Sequence, residues 1–306
     1  MHRPQGFLCA KGVATRVEPP GSGNLIRVLT VPIRQLGESE RASVEKILDR
    51  DPFAGAQIAE RVAAHGLNWW RSDGRIFGYG AGRRVDSLIW SGAHLVPVCA
   101  TPSATAAFAD MLGADPRICS SIIGRSEAVL DLWDRLGGHW GRARDVRPNQ
   151  PLLVADHDPA IAADPEVRLV RPNEVDQLFP AAVAMYTEEV GVSPLLDDGG
   201  RGYRRRIAEL VKGKRAYARF LGDRVIFKAE LAIVTDRTTQ VQGVWVDPEF
   251  RGRGLASAAM ASVVHDALRR VAPTVSLYVN DYNAAARRVY ARCGFVSAGS
   301  FATVLF

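Results

Sequence analysis

The 306-residue sequence predicts an α/β protein built as two related units in tandem. Apolar segments of strand length alternate with longer helix-forming segments, which is typical of a sheet flanked by helices. The order strand, helix, strand, helix, glycine and strand also occurs twice along the chain, although a shared α/β rhythm can arise by chance. We expect each unit to form a central mixed sheet with helices on its faces.

The distribution of proline, glycine and aspartate predicts where the units begin and end. Residues 1–24 are rich in proline and glycine and predict a flexible leader, either native or an overlong start. Residues 25–155 form the first unit, residues 156–166 a linker, and residues 167–306 the second unit. This division predicts two domains of ordinary size.

The first unit contains two strand and helix pairs in succession. Residues 93–100 predict an apolar strand, and Thr101 begins the next helix as its N-cap. A strand over 118–124 follows, and then a helix that carries Trp133 and Gly137. A final strand closes the unit.

A glycine-rich turn stands out in the second unit. A strand over 241–246 ends at Asp247 and Pro248, and a helix is predicted over 255–268. Between them lie Arg251, Gly252, Arg253 and Gly254. Such a turn directs backbone N–H groups to one point, where the helix dipole also favours negative charge, so it fits a pyrophosphate. It lacks the glycines of the dinucleotide fingerprint and the Gly-Lys pair of a P-loop. A tight connection without a ligand is the alternative.

A second pattern follows this helix. Residues 274–280 predict a strand, after which Asn283 precedes Tyr290 by seven positions, and Gly294 and Phe295 come next. Taken alone, Tyr290 could be a core residue of an amphipathic helix and Gly294 a helix C-cap.

Together the two patterns resemble the coenzyme A signature of the GNAT acetyltransferases. The resemblance is specific over 240–306 and looser over 167–240, and it implies acetyl-CoA as co-substrate and an amine as acceptor. It implies that Asn283 contacts the pantetheine arm and that Tyr290 protonates the departing thiolate. The residues expected to bind acetyl-CoA are Val244, Trp245, Val246, Arg251, Gly252, Arg253, Gly254, Leu255, Ala256, Ser257 and Asn283.

The general base is less clear. GNAT enzymes that acetylate ribosomal-protein N-termini carry a glutamate twelve residues before the tyrosine, where this chain has Tyr278. Tyrosine needs strong perturbation to act as a base. Glu230, within an apolar strand over 225–234, is our candidate instead, unless it simply faces solvent. The acidic pair Glu188 and Glu189 is another candidate, unless it forms a solvated helix end. By the resemblance, this region lines the acceptor pocket, so either residue could hold a cationic amine, and Tyr278 is expected to contact the substrate as well.

By the same resemblance the first unit has lost its chemistry. Its helix begins at Thr101 without an Arg-Gly-x-Gly loop, and the spacing of Trp133 and Gly137 matches that of Tyr290 and Gly294. An indole cannot act as an acid near pH 7. The chain therefore resembles actinobacterial two-domain GNAT proteins with a degenerate N-terminal GNAT-like domain, which has a structural or acceptor-binding role.

The end of the chain bears on the acceptor. Only eleven residues follow Phe295, enough for one strand where many GNAT enzymes have two. An open sheet edge normally needs cover, so we expect the first unit to pack against it and to form one wall of the acceptor site. A groove between domains favours a protein or peptide N-terminus over a small amine.

Charge and composition add limits. The net charge is +6, and nearly all basic residues are arginine, which suggests nucleic acid as a partner. We do not expect it, because the arginines are spread along the chain; a positive field would also attract the phosphates of coenzyme A. No apolar segment approaches the ~18–20 residues of a membrane span, so we expect a cytoplasmic protein. The four cysteines and six histidines show no metal-ligand spacing, so we expect reduced thiols and no metal.

Two further hypotheses remain. The chain could be a regulatory module that senses an acyl-CoA or an amino acid, or a structural protein associated with nucleic acid. The presence of both Tyr290 and the glycine-rich turn disfavours the first, since a sensor needs no acid for a thiolate.

Overall fold

A computed structural model of the chain describes residues 32–68, 73–196 and 198–306. The predicted leader over 1–24, the start of the first unit and Cys9 lie outside these residues. The strands are β1 (Ile33–Gln35), β2 (Gly74–Tyr79), β3 (Ser87–Gly92), β4 (His94–Val98), β5 (Ser121–Arg125), β6 (Asp145–Ala155), β7 (Arg168–Leu169), β8 (Ala216–Leu221), β9 (Arg224–Val234), β10 (Thr239–Val246), β11 (Val275–Tyr278) and β12 (Val296–Leu305). The helices are α1 (Arg41–Leu48), α2 (Ala56–His65), α3 (Pro102–Gly113), α4 (Ser126–Trp140), α5 (Val175–Val190), α6 (Arg201–Lys212), α7 (Leu255–Arg270) and α8 (Ala284–Arg292).

The predicted fold class is confirmed, since the described residues form a mixed sheet with helices packed on it. The two expected sheets are joined into one 12-stranded sheet, in the order β1-β2-β3-β4-β5-β12-β6-β11-β10-β9-β8-β7. The strands of the first half precede those of the second, except where β12 and β6 cross over.

The crossover exchanges the last strand of each half. Strand β6 lies between β11 and β12 and pairs antiparallel with both, with Leu152 opposite Tyr278 and Val154 opposite Val296. Strand β12 in turn pairs with β5 of the first half. The edge of β11 that the sequence predicted to be open is therefore covered by the first half of the chain. The exact boundaries of the two domains stay a prediction.

Strands β10 and β11 separate soon after they begin. They pair in parallel only where Thr239 meets Val275 and where Gln240 meets Ser276. Strands β4 and β5 of the first half also pair over only two positions before they part. Both halves thus contain a wedge between two parallel strands, which supports the predicted repeat.

The helices that follow these wedges begin differently. In α3, Thr101 Oγ1 accepts a hydrogen bond from the Ala104 N–H at 3.3 Å, so Thr101 is the predicted N-cap. Helix α7 is preceded by Gly254, which has a φ of 81° and no side chain to cap the helix. The first turn of a helix has N–H groups without intrahelical partners, and only α3 satisfies one of them with its own cap side chain.

The predicted alignment of Trp133 with Tyr290 is wrong by one helical turn. Helix α4 continues through Gly137 and ends before Gly141, whose φ is 78°. Gly294, with a φ of 82°, occupies the corresponding position after α8. The residue four positions before Gly141 is Gly137, whereas the residue four positions before Gly294 is Tyr290. The first half therefore has no side chain at this position that could donate a proton.

The second half has three layers. Helices α7 and α8 bury side chains such as Val264 and Tyr290 against Phe227 and Leu277 of the sheet. Helices α5 and α6 cover the opposite face, where Leu178 and Ile207 lie in one cluster with Trp245. Since β10 contributes to both clusters, its residues reach both faces of the sheet.

Candidate active site

The glycine-rich turn adopts the conformation that its residues predict. Gly252 and Gly254 have φ values of 75° and 81°, in the left-handed region that strains other residues. A Cβ atom at either glycine would have no atom within 4 Å, so the turn is open on that side. Helix α7 begins directly afterwards, at Leu255, and its first N–H groups and positive dipole end favour an anion.

A cavity of about 560 Å³, here called the loop cavity, lies along this turn. It contains ten of the eleven residues predicted to bind acetyl-CoA. Its lining is Glu188, Val244, Trp245, Val246, Phe250, Arg251, Gly252, Gly254, Leu255, Ala256, Ser257, Asn283, Ala285, Ala286, Arg288, Val289, Tyr290 and Arg292. The exception is Arg253, whose guanidinium carbon lies 5.6 Å from the ring centroid of Phe250.

Two basic residues of the loop cavity were not predicted. Arg288 and Arg292 lie four positions apart on α8, on the face that also carries Ala285 and Val289. Residues at this spacing share one side of a helix. The helical period of α8, extended beyond Tyr290, could have identified both arginines.

A second cavity, of about 940 Å³, also has Tyr290 in its lining. We call it the tyrosine cavity, after five of its lining residues. These are Tyr186, Tyr203, Tyr278, Tyr282 and Tyr290. Five residues line both cavities, namely Glu188, Val244, Trp245, Asn283 and Tyr290. The two cavities therefore meet near the end of β10 and along α8, from its N-cap Asn283 to Tyr290.

Strand β10 has a bulge at this junction. Gln242 pairs with Glu230 and Trp245 with Lys228, so two residues of β10 span what is one position on β9. Gly243, the first of them, has a φ of 57°. A Cβ atom there would lie 2.3 Å from Oε1 of Glu230, so only glycine fits. The bulge frees this part of β10 from its regular pairing with β9.

Glu230 faces the tyrosine cavity, so the alternative of a solvent-facing strand residue is wrong. It is 2% exposed and lies within 3.3 Å of Lys228 Nζ through Oε1. Its Oε2 lies 3.2 Å from a guanidinium nitrogen of Arg206. Each carboxylate oxygen therefore already has a cationic partner. This arrangement does not favour the predicted role of Glu230 as a base, which stays untested.

The neighbouring residues Glu188 and Glu189 differ in their contacts. Glu188 accepts a hydrogen bond from Trp245 Nε1 at 3.0 Å and forms a 2.7 Å salt bridge with Arg251, so it ties α5 to the glycine-rich turn. The Glu189 carboxylate makes no hydrogen bond or salt bridge with any residue that the structure describes. Its side chain is open to water inside the tyrosine cavity, but the cavity walls surround it. The walls keep part of the surrounding water away from the Glu189 carboxylate, and this desolvation raises its pKa.

Two tyrosines that line the tyrosine cavity are held in their neutral form. Burial raises the pKa of Tyr278 to about 12, and the nearby charge of Glu189 acts in the same direction. Tyr278 is thus even less suited to be a base than its side chain alone suggests. Tyr290 is 7% exposed, and burial with the charge of Glu189 raises its pKa above the ordinary value. A phenol that keeps its proton can donate it to a stronger base.

Asn283 has a structural contact as well as a place in both cavities. Its Oδ1 accepts a hydrogen bond from the Ala286 N–H at 3.1 Å, which makes it the N-cap of α8. The same contact orients the helix that carries Tyr290.

The first half of the chain contributes to the tyrosine cavity through Gln150 of β6. This contact is consistent with the expected wall of an acceptor site, and the position of that site stays a prediction. Among the described residues, no helix is both long and apolar enough to span a bilayer. Nor do the described histidine, cysteine and acidic residues form a group that could hold a metal ion.

Comparison with known proteins agrees with this geometry. Residues 181–295 match the model of the Acetyltransferase (GNAT) family, and residues 74–178 match a domain of unknown function (DUF4081). No curated protein matches the chain.

Three solved structures show the fold. A GNAT-family acetyltransferase from Colwellia psychrerythraea is 12% identical over 90% of this chain and 99% of its own, with a TM-score of 0.52. A Drosophila protein is 12% identical over 90% of this chain and 98% of its own, with a TM-score of 0.61. A tandem GNAT protein from the clavulanic acid biosynthesis pathway is 14% identical over 89% of this chain and 97% of its own, with a TM-score of 0.50. The chain is an acyltransferase: residues 181–295 match the GNAT acetyltransferase family, and the fold is that of a tandem GNAT protein.

Proposed function

We propose that the protein transfers an acetyl group from acetyl-CoA to a primary amine, and that this amine is a protein or peptide N-terminus. One observation supports this proposal above the others. The loop cavity and the tyrosine cavity meet at Val244 and Tyr290. A thioester in the first cavity and an amine in the second would bring their reacting atoms to the same point.

The loop cavity suits each part of acetyl-CoA. The N–H groups at the start of α7 would receive the pyrophosphate, and Arg288 and Arg292 would add positive charge for the phosphates. The backbone of Val244 to Val246 would pair with the pantetheine amides, because β10 and β11 have already separated there. Asn283 would lie beside this arm.

The reaction at the junction needs a hydrogen-bond donor to the thioester oxygen and a proton donor to the thioester sulfur. As the amine nitrogen forms its bond to the carbonyl carbon, the oxygen gains negative charge, which the backbone N–H of Val244 would stabilise. The C–S bond then breaks, and its electron pair remains on sulfur. Tyr290 would give its proton to this sulfur, and the products would be the amide and free coenzyme A.

The attacking amine must also lose a proton. We propose Glu189 as the acceptor, because its carboxylate is unpaired among the described residues and lies in the tyrosine cavity. A raised pKa brings a carboxylate closer to the pH at which a base works best. Glu230, the candidate from the sequence, has both oxygens in contact with Lys228 and Arg206.

The surroundings of the tyrosine cavity bear on the acceptor. Leu195 and Leu196 are 41% and 72% exposed and directly follow Pro194, which lines the cavity. Tyr282, also in its lining, is 75% exposed. Exposed apolar side chains around a cavity are typical of sites that bind proteins or peptides. A small amine is the second candidate, because about 940 Å³ also lies within the usual range of small-ligand sites.

The proposal is tested with acetyl-CoA binding by calorimetry and with a free-thiol assay of turnover. We expect Gly254→Glu to abolish binding, since it places a carboxylate where the pyrophosphate would lie. Gly222→Glu is the matched control, because Gly222 also has a positive φ, 59°, with no atom within 4 Å of an added Cβ. Tyr290→Phe should keep binding and lower kcat by about 10²-fold or more.

The outcomes separate the functions. Binding that survives Gly254→Glu would refute the acetyl-CoA site. Turnover with peptides but not with small amines would support the N-terminal acceptor, and the reverse would support the second candidate. Tight binding without turnover for any amine would point to a sensor of acyl-CoA.

A further inference from the structure

We propose that Lys228 is a positioning residue that fixes the direction of the Val244 N–H, the proposed donor to the thioester oxygen. Lys228 acts through the carbonyl of Gly243 and touches neither substrate. This inference rests on the proposed function and adds to it a residue that the sequence analysis did not single out.

The contacts of Lys228 are unusual for a lysine. It is 1% exposed, at the centre of β9, where a charged side chain needs compensating partners. Its Nζ donates to the Gly243 carbonyl oxygen at 2.8 Å and lies 3.3 Å from Oε1 of Glu230. The shorter of the two contacts is therefore to the bulge of β10, and Glu230 supplies the balancing charge.

The geometry of the peptide unit carries this contact to Val244. The Gly243 carbonyl and the Val244 N–H belong to the same planar trans unit, in which they point in opposite directions. Because the carbonyl points at Nζ of Lys228, the N–H of Val244 points away from Lys228. Val244 lines both cavities at their junction. A hydrogen bond to the carbonyl also polarises the unit and strengthens the N–H as a donor.

The bulge depends on this contact for its shape. Gly243 and Val244 are outside the regular register between β9 and β10, so sheet pairing does not orient their peptide unit. Gly243 also has a φ of 57° and no side chain to restrict it. Without Lys228 the unit is free to rotate, and the N–H would lose its direction while the loop cavity remained intact.

The experiment compares the affinities of acetyl-CoA and coenzyme A for the full-length protein by calorimetry. Only acetyl-CoA has the carbonyl oxygen, so the ratio of the two dissociation constants reports on the Val244 N–H. We expect the wild type to bind acetyl-CoA about threefold to tenfold more tightly, as for one net hydrogen bond. In Lys228→Met the ratio should fall to about one, while the affinity for coenzyme A stays within about twofold.

Arg206→Met is the matched control, because Arg206 is the other cationic partner of Glu230 and makes no contact with Gly243. The wild-type ratio should persist in this variant. If Lys228→Met does not fold, Lys228→Met with Glu230→Leu removes both buried charges together, a change that cores often tolerate. Only Arg206 loses its partner, and its side chain is 45% exposed and can be solvated by water. The double variant should also have a ratio of about one.

A wild-type ratio that persists in either folded Lys228 variant would overturn the inference. Equal affinities in the wild type would overturn it too, since the N–H would then not reach the oxygen. Failure of the wild type to bind either ligand has a different signature: it would refute the proposed function and the inference together.

Discussion

The side-chain nitrogen of Gln150 donates a hydrogen bond to Oδ1 of Asn280 at 2.9 Å, which joins β6 of the first half to the loop after β11. The Gln150 side-chain oxygen accepts a second bond from the hydroxyl of Thr303, on β12, at 2.6 Å. Gln150 is 3% exposed, so water cannot replace these partners. One buried amide thus connects β6, β12 and the loop after β11 at the point where the two halves exchange strands.

We expect Gln150→Leu to lower the free energy of unfolding by about 1–3 kcal/mol, because it leaves the buried hydroxyl of Thr303 and the half-buried side-chain oxygen of Asn280 without this partner. Gln177→Leu is the control, since Gln177 donates to Asp223 at the same distance of 2.9 Å but on the surface. That variant should change stability by less than about 0.5 kcal/mol. Denaturant unfolding measures both. Equal effects would show that burial of the Gln150 network contributes nothing.

The exchange of β6 and β12 predicts how the chain responds to cleavage. A protease site inserted within 156–166 would cut between the two strands that cross over. We expect the two pieces to elute together on gel filtration and to keep their activity. Each piece supplies a strand that lies between two strands of the other piece. Expressed alone, residues 167–306 should be insoluble, since β11 and β12 lose the partner between them. A soluble, fully active fragment of this kind would contradict the prediction.

Replacement of Glu189 should separate activity from stability. Glu189→Gln removes the proposed proton acceptor, and we expect kcat to fall by about 10²-fold. Because desolvation raises the pKa of Glu189 in the folded protein, its charged form destabilises the fold above that pKa. The variant should therefore unfold at the same or a higher temperature at neutral pH. Glu209→Gln, on an exposed position of α6, is the control for loss of one charge.

The same raised pKa predicts the pH dependence of the wild type. The base acts when deprotonated, so activity should fall as the pH decreases through the pKa of Glu189. Since this pKa lies above the ordinary glutamate value, the fall should occur at a higher pH than for an unperturbed carboxylate. A profile of kcat/KM against pH measures it. Loss of this limb in Glu189→Gln would support the assignment, and an unchanged profile would refute it.

Arg292 should contribute to the capture of acetyl-CoA. Arg292→Gln removes one positive charge from the lining of the loop cavity, and we expect the dissociation constant to rise about threefold to tenfold. The loss should shrink as salt is added, because salt screens the attraction between Arg292 and the phosphates in the wild type. Arg287→Gln is the control, because Arg287 lies on the same helix and donates instead to the backbone oxygen of Asp281. A similar loss in both variants would indicate only a general effect of net charge.

The fold and half of the site were accessible from the sequence because their signals are local. A glycine at a left-handed position, a cap such as Thr101, and the spacing of Asn283 and Tyr290 all depend on neighbouring residues. These signals predicted the glycine-rich turn, the start of α3 and the lining of the loop cavity. They failed for Trp133, because nothing local indicates whether a helix ends at Gly137 or continues to Gly141.

The tyrosine cavity was less accessible because its residues come from distant parts of the chain. Glu189 and its neighbour Glu188 are indistinguishable in sequence. Yet the Glu189 carboxylate has no partner within the described part of the chain, whereas Glu188 binds Arg251 and Trp245. The sequence indicated no role for Lys228 or Gly243. The bulge brings the Nζ atom of Lys228 to 2.8 Å from the carbonyl oxygen of Gly243.

The sequence by itself determined the repeated α/β order, the anion-binding turn and the position of the tyrosine that faces both cavities, since backbone conformation and helical period are properties of short segments. Only the tertiary structure decided that β6 and β12 are exchanged and which acidic side chains have cationic partners. Strand pairing and desolvation depend on the whole set of residues that meet in space, and separation along the chain does not predict that set.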